Sequence, residues 1–113
     1  MTSTYYIPER GDIVWMLLDP RVGHEQSGRR PVIVLSLKTL AEHTNIAVIC
    51  PITSSIKGLP YEIVLKGLKT SGAILPFHVR SVDITARKTK FIEKAPNDVL
   101  SITAKAVRNV IGE

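Results

Sequence analysis

The amino-acid sequence predicts a mostly β fold with minor α content: a small antiparallel barrel or strongly bent sheet that ends in one longer helix. Short apolar runs recur along the chain between turn residues such as Gly11, Asp19-Pro20 and Gly72, and this pattern is typical of short strands. The segment after Pro96 instead places its apolar residues at helical spacing. A chain of 113 residues can bury one core and is interpreted as a single domain, residues 1–113.

The first two strands are predicted on either side of a long polar loop. The first runs from Ile13 to Leu18, and turn residues stand at both of its ends. Residues 19–30 form the loop. Pro31 then takes the first position of the next strand, where its missing N–H does little harm, and "VIVLS" follows. This run is apolar on both faces, which predicts a central strand.

The middle of the chain alternates short strands with turns. The predicted order is a short helix in "LKTLAEHT", a buried strand in "NIAVICPIT" that Pro51 stops, and a loop in "SSIKGLP". A strand in "YEIVL", a turn in "KGLKTSG" and a basic hairpin in "TARKTKFI" are also predicted. Between those last two, "AILPFHVRSVDI" carries Pro76 in its middle, which predicts two short strands or one strand with a bulge.

The C-terminal segment predicts an amphipathic helix that packs on the sheet. Pro96-Asn97-Asp98 supplies the start, with an acid in the first turn, and Gly112 closes it. The apolar stripe comprises Val99, Ile102, Ala106 and Val110, with Leu100, Val107 and Ile111 beside it.

Composition narrows the class of partner. The net charge is +5, which favours a polyanion such as nucleic acid or an acidic protein.

Cys50 is the only cysteine, so no intramolecular disulfide can form, as suits a reducing cytoplasm. We expect Cys50 to lie in the core. The N-terminus lacks the basic start and apolar run of a signal peptide. No apolar run reaches the ~20 residues that a membrane span needs.

Polar groups that bind phosphate or move protons gather at the start of the second strand. The three histidines are far apart without paired metal-ligand spacing, and no glycine-rich phosphate loop is present. Arginine fits phosphate, glutamate or histidine accepts a proton, and threonine holds a phosphate oxygen. Together these groups suit metal-free RNA cleavage through the 2′-hydroxyl. On spacing alone, however, an ion pair between Glu25 and Arg30 that only fixes the loop is the favoured interpretation. The groups are His24, Glu25, Gln26, Arg29 and Arg30, and the cluster "PITSS" after the next buried strand.

The segment "RGDIVWMLLDPRVGHEQSGRRPVIVLS" resembles the start of the MazF/PemK (Kid) family of toxin endoribonucleases. The family pattern is RGDIW, a D/SP, and then GxEQxGxRPxVVLS. The chain matches it at Arg10-Gly11-Asp12, Trp15, Asp19-Pro20, Gly23, Glu25-Gln26, Gly28 and Arg30-Pro31. "CPITSSIKGLPYEIVL" and "GAILPFHVRSVDITAR" resemble the second and third family segments, so the resemblance covers essentially the whole chain.

The resemblance implies a fold, an activity and partners. The implied fold is an SH3-like barrel of the PemK/CcdB type, and the implied assembly is a homodimer. The implied activity is metal-independent, sequence-specific cleavage of single-stranded RNA that leaves 2′,3′-cyclic phosphate and 5′-hydroxyl ends, with no cofactor. A cognate antitoxin with an acidic disordered tail would block the site. By position in the motif, Arg30, Thr53 and Glu25 are expected to be catalytic.

The third segment departs from the Kid branch. That branch supplies an arginine and an aspartate for proton transfer, whereas this chain has Leu75 and Phe77, so the acid/base assignment does not transfer. Phe77 is open to two interpretations, a base-stacking ring or a half-buried core aromatic. Two interpretations, contact with RNA and a solvated hairpin, are equally open for Arg80 and for the run Arg87 to Lys90. Contacts to RNA are expected from His24, Gln26, Arg29, Ser54, Lys57, Phe77, His78 and Arg80.

Two other functions use the same fold. One is a CcdB-like poison of DNA gyrase, which needs no catalytic arginine. The other is a non-catalytic barrel that only binds RNA or a partner, against which Arg30 and Thr53 argue. The sequence leaves open the cleavage motif, the class of RNA and the antitoxin.

Overall fold

The computed structural model describes residues 6–18 and 28–113 of the chain. In this part of the protein, short strands dominate, and a 15-residue helix comes near the C-terminus. The strands are β1 (Asp12–Leu17), β2 (Arg29–Val34), β3 (Ile46–Thr53), β4 (Ile63–Val64), β5 (Ala73–Ile74), β6 (Arg80–Asp83) and β7 (Lys90–Lys94). The helical elements are the short helix Lys38–Thr44, the 3-10 turn Pro76–His78 and the C-terminal helix Asn97–Ile111.

The strands form one antiparallel sheet in the order β4-β5-β3-β2-β1-β7, with β6 also paired to β3. The predicted mostly β fold with a C-terminal helix is therefore confirmed. β2 lies between β1 and β3, and Val32, Ile33 and Val34 have no exposed surface. Their burial explains why this run is apolar on both faces.

Pro51 does not stop β3, contrary to the prediction, because the strand continues to Thr53. β3 exchanges its partner at this point: Ile49 pairs with Arg80 of β6, and Ile52 pairs with Ile74 of β5. The Pro51 carbonyl accepts the Leu75 N–H on that side. Pro51 has no N–H to return this bond, so the ladder lacks one hydrogen bond at the point where β3 changes its partner from β6 to β5.

Three further predictions for the second half of the chain had different outcomes. The "YEIVL" strand shrinks to Ile63–Val64. The segment around Pro76 forms two strands with a 3-10 turn between them, which was one of the two predicted outcomes. The basic hairpin is wrong, because β6 pairs with β3 and β7 pairs with β1. Pairing with distant strands overrides the local turn signal there.

The C-terminal helix packs on the sheet, but its buried side is centred on a polar residue. Thr103 has no exposed surface, and its hydroxyl donates to the Val99 carbonyl at 2.8 Å. Leu100, Val99 and Val107 pack against the core. Ile102 and Ile111 of the predicted stripe are instead 53% and 67% exposed. The helix therefore keeps apolar side chains on its solvent side.

A buried carboxylate ties the start of β1 to β7. Asp12 accepts hydrogen bonds from the Tyr6 hydroxyl, from the Glu9 N–H at 2.9 Å and from Lys94 Nζ at 2.7 Å. Burial, and then the bond to Asp12, raise the pKa of Tyr6 above its ordinary value. We call Tyr6, Glu9, Asp12 and Lys94 the Asp12 cluster. It accounts for the aspartate of the Arg10-Gly11-Asp12 motif as part of the scaffold.

Cys50 lies in the core as predicted, and burial raises the pKa of its thiol to about 12. A thiol with such a pKa stays protonated at neutral pH and is a poor nucleophile. Among residues 6–18 and 28–113, no helix is long and apolar enough to span a membrane.

Candidate active site

An open cavity of about 460 Å³ lies where the ends of β2, β3 and β6 approach the 3-10 turn. We call it the arginine cavity. Its lining residues are Leu18, Arg30, Pro51, Ile52, Thr53, Leu75, His78 and Arg80. The cavity brings Arg30 and Thr53 together, although they stand far apart in the sequence. These are the two residues expected to be catalytic that the structure describes.

The alternation of β2 directs Arg30 and Arg29 to opposite faces of the sheet. Arg30 pairs with Met16 of β1 and lies on the same face of β2 as Val32 and Val34, which are fully buried, so it continues that face out to solvent. The Arg29 guanidinium lies 5.6 Å from the ring centroid of Trp15. Arg29 therefore stacks on an aromatic ring and does not line the cavity, although its place in the motif predicts a contact with RNA.

Thr53 ends β3, and local hydrogen bonding fixes its hydroxyl. The oxygen accepts the Ser55 N–H at 3.0 Å, so the O–H hydrogen can donate to a ligand. Gly72 packs against the same backbone with a φ of +121°, and a Cβ there would come within 2.2 Å of the Thr53 carbonyl oxygen. Only glycine permits this approach. Gly72 thus fixes the position of Thr53 relative to β5.

His78 and Arg80 complete the polar lining. His78 ends the 3-10 turn, and its ring meets the Phe77 ring edge to face, with centroids 5.0 Å apart. Arg80 begins β6. The described lining thus holds two guanidinium groups, a hydroxyl and an imidazole, and no carboxylate. This set suits a phosphodiester, because it offers fixed positive charge, a hydrogen-bond donor and a group able to move a proton.

A smaller cavity of about 190 Å³ adjoins the first. We call it the loop cavity. Three of its residues, Thr53, Leu75 and His78, also line the arginine cavity. The others are Ser55, Lys57, Leu59, Glu62 and Phe77. Lys57 and Phe77 were expected to contact RNA, whereas Glu62 was not singled out because its position in "YEIVL" indicated only strand alternation.

The remaining predicted site residues are Ser54, which the structure describes, and three that it does not. Ser54 is exposed beside Thr53 but is not among the lining residues of either cavity. His24, Glu25 and Gln26 lie outside the described residues. In the part that is described, no three His, Cys, Asp or Glu side chains gather where they could hold a metal ion.

Arg87, in the predicted solvated hairpin, has a structural role. Its Nη1 donates to the Leu17 and Leu18 carbonyls at 3.0 and 2.9 Å, and its Nε donates to the Asp83 carbonyl at 2.9 Å. Leu18 lines the arginine cavity. Arg87 therefore fixes the end of β1 beside the site, a role that only long-range contacts reveal.

Comparisons with known proteins agree with this architecture. Residues 9–111 match the family described as PemK-like, MazF-like toxin of type II toxin–antitoxin system. The chain is 39% identical over 101 residues to the endoribonuclease toxin MazF of Escherichia coli K12. The aligned region covers 88% of this chain and 91% of that protein.

Solved structures share the fold. The crystal structure of MazF from Deinococcus radiodurans superposes with a TM-score of 0.86 at 37% identity, and covers 96% of this chain and 100% of that one. A MazE–MazF crystal structure from the same organism gives a TM-score of 0.84 at 34% identity, and covers 96% of this chain and 98% of that one.

Proposed function

The chain belongs to the PemK-like, MazF-like toxins of type II toxin–antitoxin systems, and from that premise we propose that it is an endoribonuclease that cleaves single-stranded RNA at specific sequences. The proposed reaction needs no metal and leaves 2′,3′-cyclic phosphate and 5′-hydroxyl ends. The observation that carries the proposal is the arginine cavity, which holds Arg30 and Thr53 in one open site. Homologues of 30–40% identity that bear the name endoribonuclease support it.

The chemistry follows from where charge develops. The 2′-oxygen of the substrate attacks the adjacent phosphorus, the bond to the 5′-oxygen breaks, and negative charge builds on the phosphoryl oxygens. Arg30, the second residue of β2, stabilises that charge with a fork of N–H donors. The Thr53 hydroxyl, oriented by the Ser55 N–H, donates to a phosphoryl oxygen. Arg80 adds a second cation, so the cavity itself supplies the positive charge that the transition state requires.

Proton transfer needs a base for the 2′-hydroxyl and an acid for the leaving 5′-oxygen. Glu25 remains our candidate for one of these roles, from its place in the motif. His78 contributes an imidazole, which can accept or donate a proton, and it lines both cavities together with Thr53. Glu25→Gln separates proton transfer from support of the loop: a base role predicts a large loss in rate with RNA affinity kept, and a supporting role predicts joint loss of affinity and stability.

The partners that we propose are single-stranded RNA, a cognate antitoxin with an acidic tail and a second copy of the chain, all in the cytoplasm. The net charge of +5 suits RNA and an acidic tail alike. Exposed apolar side chains such as Leu37, Ile102 and Ile111 favour a homodimer that covers part of this surface. Light scattering at micromolar concentration should give twice the chain mass, and a fully active monomer would contradict the dimer.

One experiment tests the activity. The purified protein is incubated with long single-stranded RNA in EDTA, and new 5′-hydroxyl ends are mapped. We expect cuts at a restricted set of sequences. Activity that disappears in EDTA and returns with magnesium would overturn the metal-independent mechanism, and intact RNA together with inhibited gyrase would favour the CcdB-like alternative.

A further inference from the structure

The loop cavity lies directly beside the proposed catalytic groups, and we propose that it is a nucleobase subsite in which Glu62 selects a base that carries an exocyclic amine. The inference rests on the proposed RNA cleavage and identifies Glu62 as one source of its sequence preference. The ligand of the loop cavity is the base of a nucleotide adjoining the scissile phosphate.

Continuity between the two cavities is the first argument. Thr53, Leu75 and His78 line both. In single-stranded RNA, each phosphate joins two nucleosides whose unpaired bases are free to turn away from the backbone. A base that adjoins a phosphate held at Arg30 and Thr53 can therefore enter the loop cavity, which shares three lining residues with the arginine cavity.

The walls of the loop cavity suit a flat ring. Leu59 and Leu75 provide apolar surface, and Phe77 is 39% exposed on the 3-10 turn. The Phe77 and His78 rings pack edge to face at an interplanar angle of 74°. This contact supports the Phe77 ring. Unpaired bases commonly stack on aromatic side chains of this kind.

Glu62 supplies a fixed hydrogen-bond acceptor. Its Oε1 accepts the Gly58 N–H at 2.8 Å, and the Lys57 N–H is shared between Oε1 at 3.3 Å and Oε2 at 3.2 Å. A carboxylate has two oxygens with about four lone-pair sites in all. These backbone bonds fix the carboxylate and leave acceptor capacity on Oε2.

The chemistry of the acceptor predicts which bases fit. The amino groups of adenine, cytosine and guanine can donate to a carboxylate, as glutamate accepts from the cytosine amine in nucleic-acid recognition. Uracil presents carbonyl oxygens at the equivalent places, and these would face the negative charge. The Lys57 side chain lines the same cavity and can donate to a ring nitrogen or carbonyl beside the amine. We therefore expect discrimination against uracil at one position next to the cut.

The test compares Glu62→Gln with wild type on a randomised single-stranded RNA pool, by sequencing the new 5′-hydroxyl ends. The amide retains the length of the side chain and one oxygen for the backbone N–H groups, but it loses an acceptor and adds donors. We expect the preference for amine-bearing bases over uracil to fall by about tenfold to a hundredfold at one position only. Glu42→Gln, on the exposed face of the short helix, is the matched control and should leave every preference unchanged.

Phe77→Leu probes the stacking surface without the carboxylate, and Phe91→Leu is its control. The chain has two phenylalanines, and Phe91 is 47% exposed with an edge contact to Tyr6, so it matches Phe77 in exposure and in ring packing. We expect Phe77→Leu to weaken binding of short RNA by roughly fivefold to a hundredfold. Phe91→Leu should leave binding unchanged. Thermal unfolding of each variant checks that the fold persists.

The outcomes separate this inference from the proposed function, because binding of short RNAs that differ at one base is measured in parallel. Specific cleavage with preferences that Glu62→Gln and Phe77→Leu leave intact overturns the subsite and keeps the nuclease. RNA binding whose base preference depends on Glu62, without cleavage by wild type, overturns the nuclease and keeps the subsite. Absence of both binding and cleavage overturns both.

Discussion

The Asp12 cluster and the arginine cavity are both rich in charge, but their charges meet different partners. Asp12 is 3% exposed and is satisfied by the Tyr6 hydroxyl, a backbone N–H and Lys94. In residues 6–18 and 28–113, by contrast, no ion pair involves Arg30, which opens onto a cavity of about 460 Å³. A buried charge whose hydrogen bonds are complete holds the chain together, whereas exposed charge on a cavity wall is available to a ligand.

This difference explains why two parts of the same N-terminal motif have separate roles. Asp12 and Arg30 both belong to the sequence pattern that identifies the family, and the pattern does not distinguish them. Contacts do: Asp12 joins β1 to β7, and Arg30 faces the site. Substitutions in the two regions should therefore affect different measurements, one the rate of cleavage and the other the free energy of unfolding.

The largest expected effect is on the rate of cleavage in Arg30→Ala. Loss of a preorganised donor to developing charge costs about 3–4 kcal/mol, or roughly 10²–10³ in kcat. Arg30→Lys keeps the charge but loses the planar fork and should recover little. Single-turnover cleavage of a fixed RNA measures both. Arg108→Ala on the exposed face of the C-terminal helix is the control, and a folded Arg30→Ala with wild-type rate would show that the site lies elsewhere.

Thr53→Val should also reduce the rate of cleavage, but by less than Arg30→Ala does. It keeps the side-chain shape and removes the hydroxyl, and a hydrogen bond to a charged group contributes about 1.5–3 kcal/mol. Thr53→Ser keeps the hydroxyl and should retain most of the activity. Equal rates for the valine and serine variants under single-turnover conditions would remove the hydroxyl from the mechanism.

Asp12→Ala should lower the free energy of unfolding by about 1–3 kcal/mol, because it leaves the Glu9 N–H, the Tyr6 hydroxyl and Lys94 without their acceptor. Chemical denaturation measures the change, and Glu42→Ala on the exposed face of the short helix provides an exposed-carboxylate control. Cleavage below the unfolding transition should be unaffected. A large loss of rate in a folded Asp12→Ala would break the distinction between the two regions.

The smallest expected effect concerns Lys94 at high pH. The hydrogen bond to Asp12 raises the pKa of Lys94 above its ordinary 10.5. The folded state thus holds this proton more tightly than the unfolded state, so the stabilisation is fully present below pH 10.5 and is lost as the pH rises through the folded-state pKa. Lys94→Met should be less stable than wild type at neutral pH, and the difference should shrink in alkaline denaturation. A difference independent of pH would assign the effect to packing.

Local signals in the sequence determined the mostly β class, the central strand at Val32 to Val34, the helix after Pro96 and the basic charge. The family motif, more than any spacing, determined Arg30 and Thr53 as site candidates. These features are local because apolar periodicity, turn residues and a linear motif are properties of neighbouring residues. The burial of Cys50 followed in the same way from the apolar run around it.

Only the tertiary structure decided which distant residues meet. β3 pairs with β6 before Pro51 and with β5 after it, which brings His78 and Arg80 to Thr53 and places Glu62 and Phe77 in the adjoining cavity. Close packing also buried Thr103 and left Ile102 in solvent. Strand pairing across the chain depends on the fit of whole surfaces, so the alternation of a single segment does not encode it.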